Sequence, residues 1–503
     1  MRRGAVFMSG IKRWAVTVLA ALGLLFLLPA AAQAKWLRAE SPRFIVYSDR
    51  GESVLRAYVL QMETYDSLLR FEHGMPEKGA PPRKLPIFLV RDREDLQRTW
   101  NGAGGAVAGY YNAGTADTIA VAVVEGSDDD SVTIKHEYTH HFMLQYFPNA
   151  YPAWMVEGYA EYFSMTRITP TMVEVGRVNT WRSDELRSGK WMPIADVLAN
   201  KRGANSADWS DFYAESWLLT HYMKSTPERK AQFAAYASAV AKGADPVEAM
   251  VTATGLTTAQ LDTALRKYMN TGLTYTQYKR TDFTVPVITI TALPPSADAL
   301  LLDRLELVMH YYKDANPGFL AMIRGKAAKF PDDQLATLAL GQTELELGDK
   351  EKGQALLETW IKAHPDDAEA MFVLGDHFID LANEEKDDDK SDALRTRART
   401  LLERAAQISP TDYRILFAYG RSRRGEDGFP TLETQTLLIT AYKQAPQVDS
   451  LRFELVQVLM ARKHWREAEA LLRPLVNSPH GGDVVTKARE LMKRIQAALA
   501  AGG

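Results

Sequence analysis

The sequence predicts an α+β domain followed by an all-α helical-repeat array. Three observations carry that reading. Between residues 36 and 130, short β-branched and aromatic runs alternate with stretches of helical apolar spacing. From about residue 297, helical pairs recur and end near Pro331, Pro365, Pro410, Pro446 and Pro479, in steps of 34, 45, 36 and 33 residues, the period of stacked helical units. With 503 residues, 46% apolar and 24% charged, the chain has room for about three domains and the composition of folded protein.

The first 34 residues read as an export signal. Arg2, Arg3, Lys12 and Arg13 give a basic start, Trp14 to Pro29 is apolar, and Ala32-Gln33-Ala34 before Lys35 fits small-x-small cleavage. The alternative is a retained anchor, since the apolar stretch is nearly long enough to span a bilayer. The expected compartment is the bacterial periplasm or beyond, with no stable membrane span once the signal is cleaved. The chain has no cysteine, which excludes disulfides, thiolate metal sites and a lipidated cysteine. The formal charge of −3 falls to near −7 without the four cations of the signal. A mildly acidic chain without a basic patch argues against nucleic acid as a partner.

Arg43 to Tyr47 has the residue types of a strand, Glu52 to Phe71 carries Leu55, Val59, Met62 and Leu69 at helical spacing, and Leu85 to Val90 is a second strand with Pro86 at its start. Asn101 to Gly109 is Gly- and Ala-rich and predicts a loop; Thr118 to Val124 predicts a third strand. Asp128, Asp129, Asp130 and Ser131 supply an N-cap and negative charge for the next helix.

That helix carries His136-Glu137-Tyr138-Thr139-His140, of the form H-E-x-x-H. On a helix the two histidines are one turn apart on one face, where they can grip one zinc ion, and Glu137 sits beside the open position. There it can take a proton from a metal-activated water. His141 points about 100° away from His140 and reads as packing or surface. Twelve residues beyond His140 comes Pro152-Ala153-Trp154-Met155-Val156-Glu157-Gly158-Tyr159-Ala160-Glu161-Tyr162-Phe163. Pro152 can open a helix, on which Glu157 and Glu161 share a face, and a carboxylate would complete a His₂Glu site with one position left for water.

Together these two segments resemble the gluzincin branch of zinc metallopeptidases, especially the bacterial peptidase-MA-like group with its W-x-x-E-G-x-A-E signature. The resemblance implies a zincin-like fold, zinc ligands His136, His140 and Glu157, and Glu137 as general base. It implies that Glu161 accepts a hydrogen bond from the far ring nitrogen of a ligand histidine; the alternative is a solvated helix residue. The His140–Glu157 spacing is slightly shorter than in the best-known gluzincins. Members of this branch often stabilise the oxyanion with a Tyr or His from beyond the metal helices. Tyr213 and His221, in the aromatic-rich stretch Asp211 to Tyr222, are the candidates, with core packing as the alternative. Thr118–Val124, with Tyr110 and Tyr111 before it, is expected to offer an edge to an extended peptide; the alternative is a buried core strand.

These readings divide the chain into a signal (1–34), a zincin-like subdomain with the metal helices (35–164), a helical subdomain completing the cleft (165–283), an extended linker (284–296) and the repeats (297–503). Leu340-Gly341 to Gly348-Asp349, with Leu374-Gly375 and Tyr419-Gly420 at matching positions, resembles tetratricopeptide repeats (TPR). Such arrays present a concave surface for proteins or peptides. The charged run Asn383 to Lys390 predicts an exposed loop. The expected function is that of an exported zinc metallopeptidase acting on peptide or protein. The rival is an envelope binding or scaffold protein with an inactive or structural metal domain. A peptidoglycan-peptide hydrolase would share the chemistry.

Overall fold

The computed structural model describes residues 35–79, 81–100, 108–124, 130–189, 191–201, 206–309, 316–476 and 482–502. The export signal, most of the Asn101–Gly109 loop and the Asp128–Asp129 cap lie outside them.

The chain opens with strands β1 (Leu37–Glu40) and β2 (Phe44–Ser48), then helix α1 (Glu52–Glu72), β3 (Leu85–Val90), α2 (Arg93–Thr99), β4 (Gly109–Ala113) and β5 (Thr118–Val123). The metal-motif helix is α3 (Asp130–Tyr146) and the carboxylate helix is α4 (Ala153–Ser164). A small region follows: β6 (Arg167–Ile168), β7 (Met172–Val175), α5 (Thr180–Ser188), α6 (Ile194–Leu198), α7 (Ser206–Met223), α8 (Pro227–Ala241), α9 (Pro246–Thr254), α10 (Thr258–Met269) and β8 (Thr276–Lys279). Strand β9 (Thr289–Ala292) leads into α11 (Ser296–Met309) and α12 (Pro317–Ala327).

The main sheet has the order β4-β5-β3-β2-β1-β9, parallel across β2-β3-β5 and antiparallel at both ends. Period-2 alternation assigns its faces. Leu85, Ile87, Leu89, Ala120 and Ala122 join the core beneath α1, α3 and α4, while Phe88, Val90, Ile119, Val121 and Val123 pack with Leu302 and Leu305 of α11 on the other face. The helical half of the chain therefore begins as a layer of the α+β domain.

Two expectations fail against the sheet, and a third is extended. Within the stretch 284–296, read as a linker, Thr289–Ala292 pairs antiparallel with β1. The β-branched run does what its composition favours, and the flanking prolines are tolerated at an edge. The region 165–283 is mostly helical but also carries a three-stranded sheet, β6-β7-β8. Thr118–Val123 is not an edge: it lies between β3 and β4 with every residue buried, and the edge beside α3 is the strand that carries Tyr110 and Tyr111.

The array continues as α13 (Gln334–Leu347) with α14 (Lys350–Ala363), α15 (Ala368–Glu384) with α16 (Asp388–Ile408), α17 (Tyr413–Ser422) with α18 (Leu432–Gln444), α19 (Asp449–Ala461) with α20 (Trp465–Val476), and α21 (Gly482–Ala500). The repeated glycines explain the pairing. A Cβ on Gly341, Gly375 or Gly420 would stand 2.8, 2.8 or 2.9 Å from Leu357, Leu402 or Leu438 of the partner helix. Each of these three pairs is thus a leucine set into a glycine notch. The prolines mark the joints, because Asp333, Asp367 and Asp412, two residues beyond Pro331, Pro365 and Pro410, cap the next helix with their side chains. The charged run 383–390 is not a loop; only residues 385–387 lie outside helix, and the insertion lengthens α15 and α16. No helix among the described residues is long and apolar enough to cross a membrane.

The array is tied to the sheet at several points. The buried Tyr413 donates to Gly114 O (2.6 Å) and lies 2.9 Å from Thr118 Oγ1 at the β4–β5 turn. Arg83 pairs with Asp117 (2.6 Å) and Asp412 (3.4 Å), and Gln145 of α3 donates to Gln444 O (3.1 Å).

Candidate metal centre

Helix α3 presents His136 and His140 on one face, and α4 crosses it with Glu157 turned toward them. All twelve residues of α4 are buried, because it is packed between α3 and α7. Gly158 makes the close approach to α7 possible: a Cβ there would stand 2.1 Å from Ser216 O. The carboxylate next to this notch is held deep, with Glu157 at 0% exposure.

The two Nε2 atoms are 3.0 Å apart, and Glu157 Oε2 lies 3.5 Å from His136 Nε2 and 3.4 Å from His140 Nε2. A tetrahedral zinc ion with bonds of about 2.05 Å separates its ligand atoms by about 3.3 Å. The three edges match that spacing, and the donors are two imidazoles and a carboxylate, so the residues present fit such an ion. Among the described residues this trio alone forms a cluster of metal-ligating type. Burial opposes charge on His136, yet its hydrogen bond to Glu157 and the carboxylates of Glu161, Glu157 and Glu137 push its pKa up to about 9. Burial likewise opposes charge on Glu157, but the two histidines hold its carboxyl well below the usual range. A buried anion facing two imidazoles is a place where a cation can replace a proton.

Glu137 is half-buried on α3 and makes no hydrogen bond or ion pair among the described residues. Glu161 is buried rather than solvated. Its Oε1 lies 3.8 Å from His136 Nδ1, beyond hydrogen-bond length, so the bond expected from Glu161 to a ligand histidine is not formed. Instead Glu161 accepts from Arg182 (2.8 Å) and Asn179 (2.9 Å) and acts on His136 through its charge. Arg182 and Asn179 were missed by sequence reasoning: neither shares a periodic pattern with the motif helices.

The two oxyanion candidates separate. Tyr213 is half-buried, its ring 6.5 Å from that of His136 and 5.2 Å beneath the Arg182 guanidinium. His221 is buried, with Nδ1 2.8 Å from the Tyr268 hydroxyl and Nε2 2.9 Å from Gly176 O. Both its nitrogens are committed, so His221 is a core histidine, not an oxyanion donor. His141 is also a packing residue; its Nδ1 lies 2.9 Å from the Tyr111 hydroxyl, and burial pulls its pKa down to about 3.

A cleft of about 500 Å³ opens at the site, lined by His136, Glu161, Arg182, Val123, Val132 and Trp181 among others. A larger cavity, about 650 Å³, lies between the start of α4, the α8–α9 junction and the last array helices, and none of the three clustered residues lines it.

A family model described as "Protein of unknown function (DUF1570)" matches residues 130–248, a span that holds the whole cluster together with Glu137, Glu161 and Tyr213. No curated protein matches the chain. Among solved structures, the crystal structure of a thermophilic TPR protein from Thermus thermophilus aligns at 19% identity and a TM-score of 0.31, covering 41% of this chain and 99% of that one.

Proposed function

We propose that this chain is a metal-dependent peptidase in which His136, His140 and Glu157 hold a zinc ion and Glu137 is the general base. The observation that carries the reading is the convergence of three donor atoms at 3.0, 3.4 and 3.5 Å beside an uncommitted carboxylate. The ion, when bound, supplies Lewis acidity toward a water and a carbonyl oxygen. Glu137 accepts a proton from that water and returns it to the departing nitrogen. The Tyr213 hydroxyl donates to the oxyanion. Glu161, itself held by Arg182 and Asn179, opposes rotation of the His136 ring. Export to the periplasm or beyond, and a role for the array in presenting peptide or protein, belong to the same proposal.

The test uses the full chain without its first 34 residues. Glu137→Gln should retain zinc and lose peptide hydrolysis, and His140→Ala should lose both. A fully active Glu137→Gln ends the mechanism. A second reading has the array carry the function as a protein-binding scaffold, favoured by the long run of stacked helical pairs. Zinc content without turnover on any peptide, together with a tight partner recovered by the array, would select it.

A further inference from the structure

The cleft beside His136 is asymmetric in a way that the metal chemistry does not require. Trp181, at the start of α5, lies on its wall and is 73% exposed. Among the described residues the only other exposed large aromatics are Phe71 and Tyr275, and an indole left in water on the wall of a cleft is the kind of exposure that marks recognition. Val123, Val132 and Met165 add apolar surface to the same lining. The volume of about 500 Å³ is in the range of sites that enclose small ligands, enough for a large side chain and the backbone that bears it.

The charges of the cleft are equally one-sided. Glu161 and Arg182 neutralise each other at 2.8 Å, and Arg182 also pairs with Glu185 at 3.1 Å. Arg93, in the first turn of α2, lines the same cleft, is exposed, and makes no ion pair among the described residues. Among the described residues, the uncommitted charge of the lining is therefore positive, and it shares the cleft with an apolar surface.

We infer that this cleft selects a peptide carrying a bulky apolar side chain next to an acidic residue, with Trp181 as the face for the first and Arg93 as the counter-ion of the second. Aromatic contact of this kind discriminates by geometry as well as by buried area. An exposed ion pair adds little affinity but excludes the opposite charge. The inference deepens the peptidase reading and rests on it for the identity of the ligand as peptide.

The experiment uses four N-acetylated octapeptides, Gly/Ser-rich, with Phe-Glu, Phe-Lys, Ala-Glu or Ala-Lys at the centre. Binding is measured by fluorescence anisotropy on zinc-loaded Glu137→Gln, and cleavage by mass spectrometry on the unsubstituted protein. Phe-Glu should bind at least ten-fold tighter than Ala-Lys. Adding Trp181→Ala should abolish the Phe-over-Ala preference, Trp181→Phe should keep it, and Arg93→Glu should reverse Glu-over-Lys, all at unchanged zinc content. Equal binding of the four peptides, absence of binding, or a ranking untouched by Trp181→Ala overturns the inference. A clear ranking on Glu137→Gln without any cleavage by the unsubstituted protein leaves the selectivity standing and removes the hydrolase; cleavage without ranking does the reverse.

Discussion

Gly158→Ala tests whether the packing of two helices sets the metal geometry. Helix propensity alone favours the change by about 1 kcal/mol. The structure predicts the opposite sign. The new Cβ would meet Ser216 O at 2.1 Å and Thr220 Oγ1 at 2.5 Å, where ordinary contact begins at 3.4 Å, so α4 and α7 must part by about 1.3 Å, the difference between 3.4 and 2.1. The atom it meets first is backbone and cannot swing aside. A backbone contact this short belongs at the upper end of the ~1–3 kcal/mol that overpacking costs, which outweighs the propensity gain. Glu157 is the adjacent residue, so the same displacement carries its carboxylate out of bonding range of an ion held by the two histidines. Zinc affinity should fall by ~10–100-fold, as for losses of support around other metal sites. Chelator competition reads the affinity and urea denaturation the stability. Gly325→Ala is the control: it sits in α12, exposed, with nothing within 4 Å of an added Cβ, and should stabilise by up to ~1 kcal/mol. Wild-type stability and zinc affinity in Gly158→Ala would refute the argument.

Tyr213→Phe should lower kcat by ~10²–10³-fold while zinc content stays unchanged; an unaltered kcat removes Tyr213 from the mechanism. Glu161→Gln keeps the side-chain shape but removes the charge facing His136, and should weaken zinc binding by ~10-fold in chelator competition. Acid should loosen the array. Burial disfavours the charged form of Glu369, but Arg414 (2.8 Å) and Arg304 (2.7 Å) hold its carboxyl well below the ordinary 4.5. Its stabilising contribution is therefore complete above pH 4.5 and is lost as pH falls toward the depressed value. Urea midpoints at pH 7, 4.5 and 3 should decline over the acid step, and Glu369→Gln should flatten that decline; parallel profiles would contradict it.

What the sequence revealed was what is local. His136 and His140 share a face because one turn separates them, and Glu157 was within reach because it sits on the next helix. The glycine notches of the array were visible as a repeat because each is set by its own helical pair. Long-range partners were not visible. Strand β9 looked like a connector because its partner, β1, lies at residues 37–40. The edge beside the metal helix was assigned to Thr118–Val124, since nothing local distinguishes an edge strand from a central one. Arg182 reads as an ordinary helix cation until Glu161 is placed beside it. His221 sits on the same aromatic-rich helix as Tyr213, and only Tyr268 and Gly176, distant in the chain, reveal that its nitrogens are already used.

The closure of β9 on β1 also sets a timetable for synthesis. The outer edge of Leu37–Glu40 has no neighbour until Thr289–Ala292 has left the ribosome, roughly 250 residues later. At ordinary elongation speeds that interval is about 13–50 s. Throughout it the nascent chain carries a naked row of amide and carbonyl groups, the kind that recruits stray strands. A chaperone that shields Leu37–Glu40 would therefore be needed longest by the strand of the sheet made earliest.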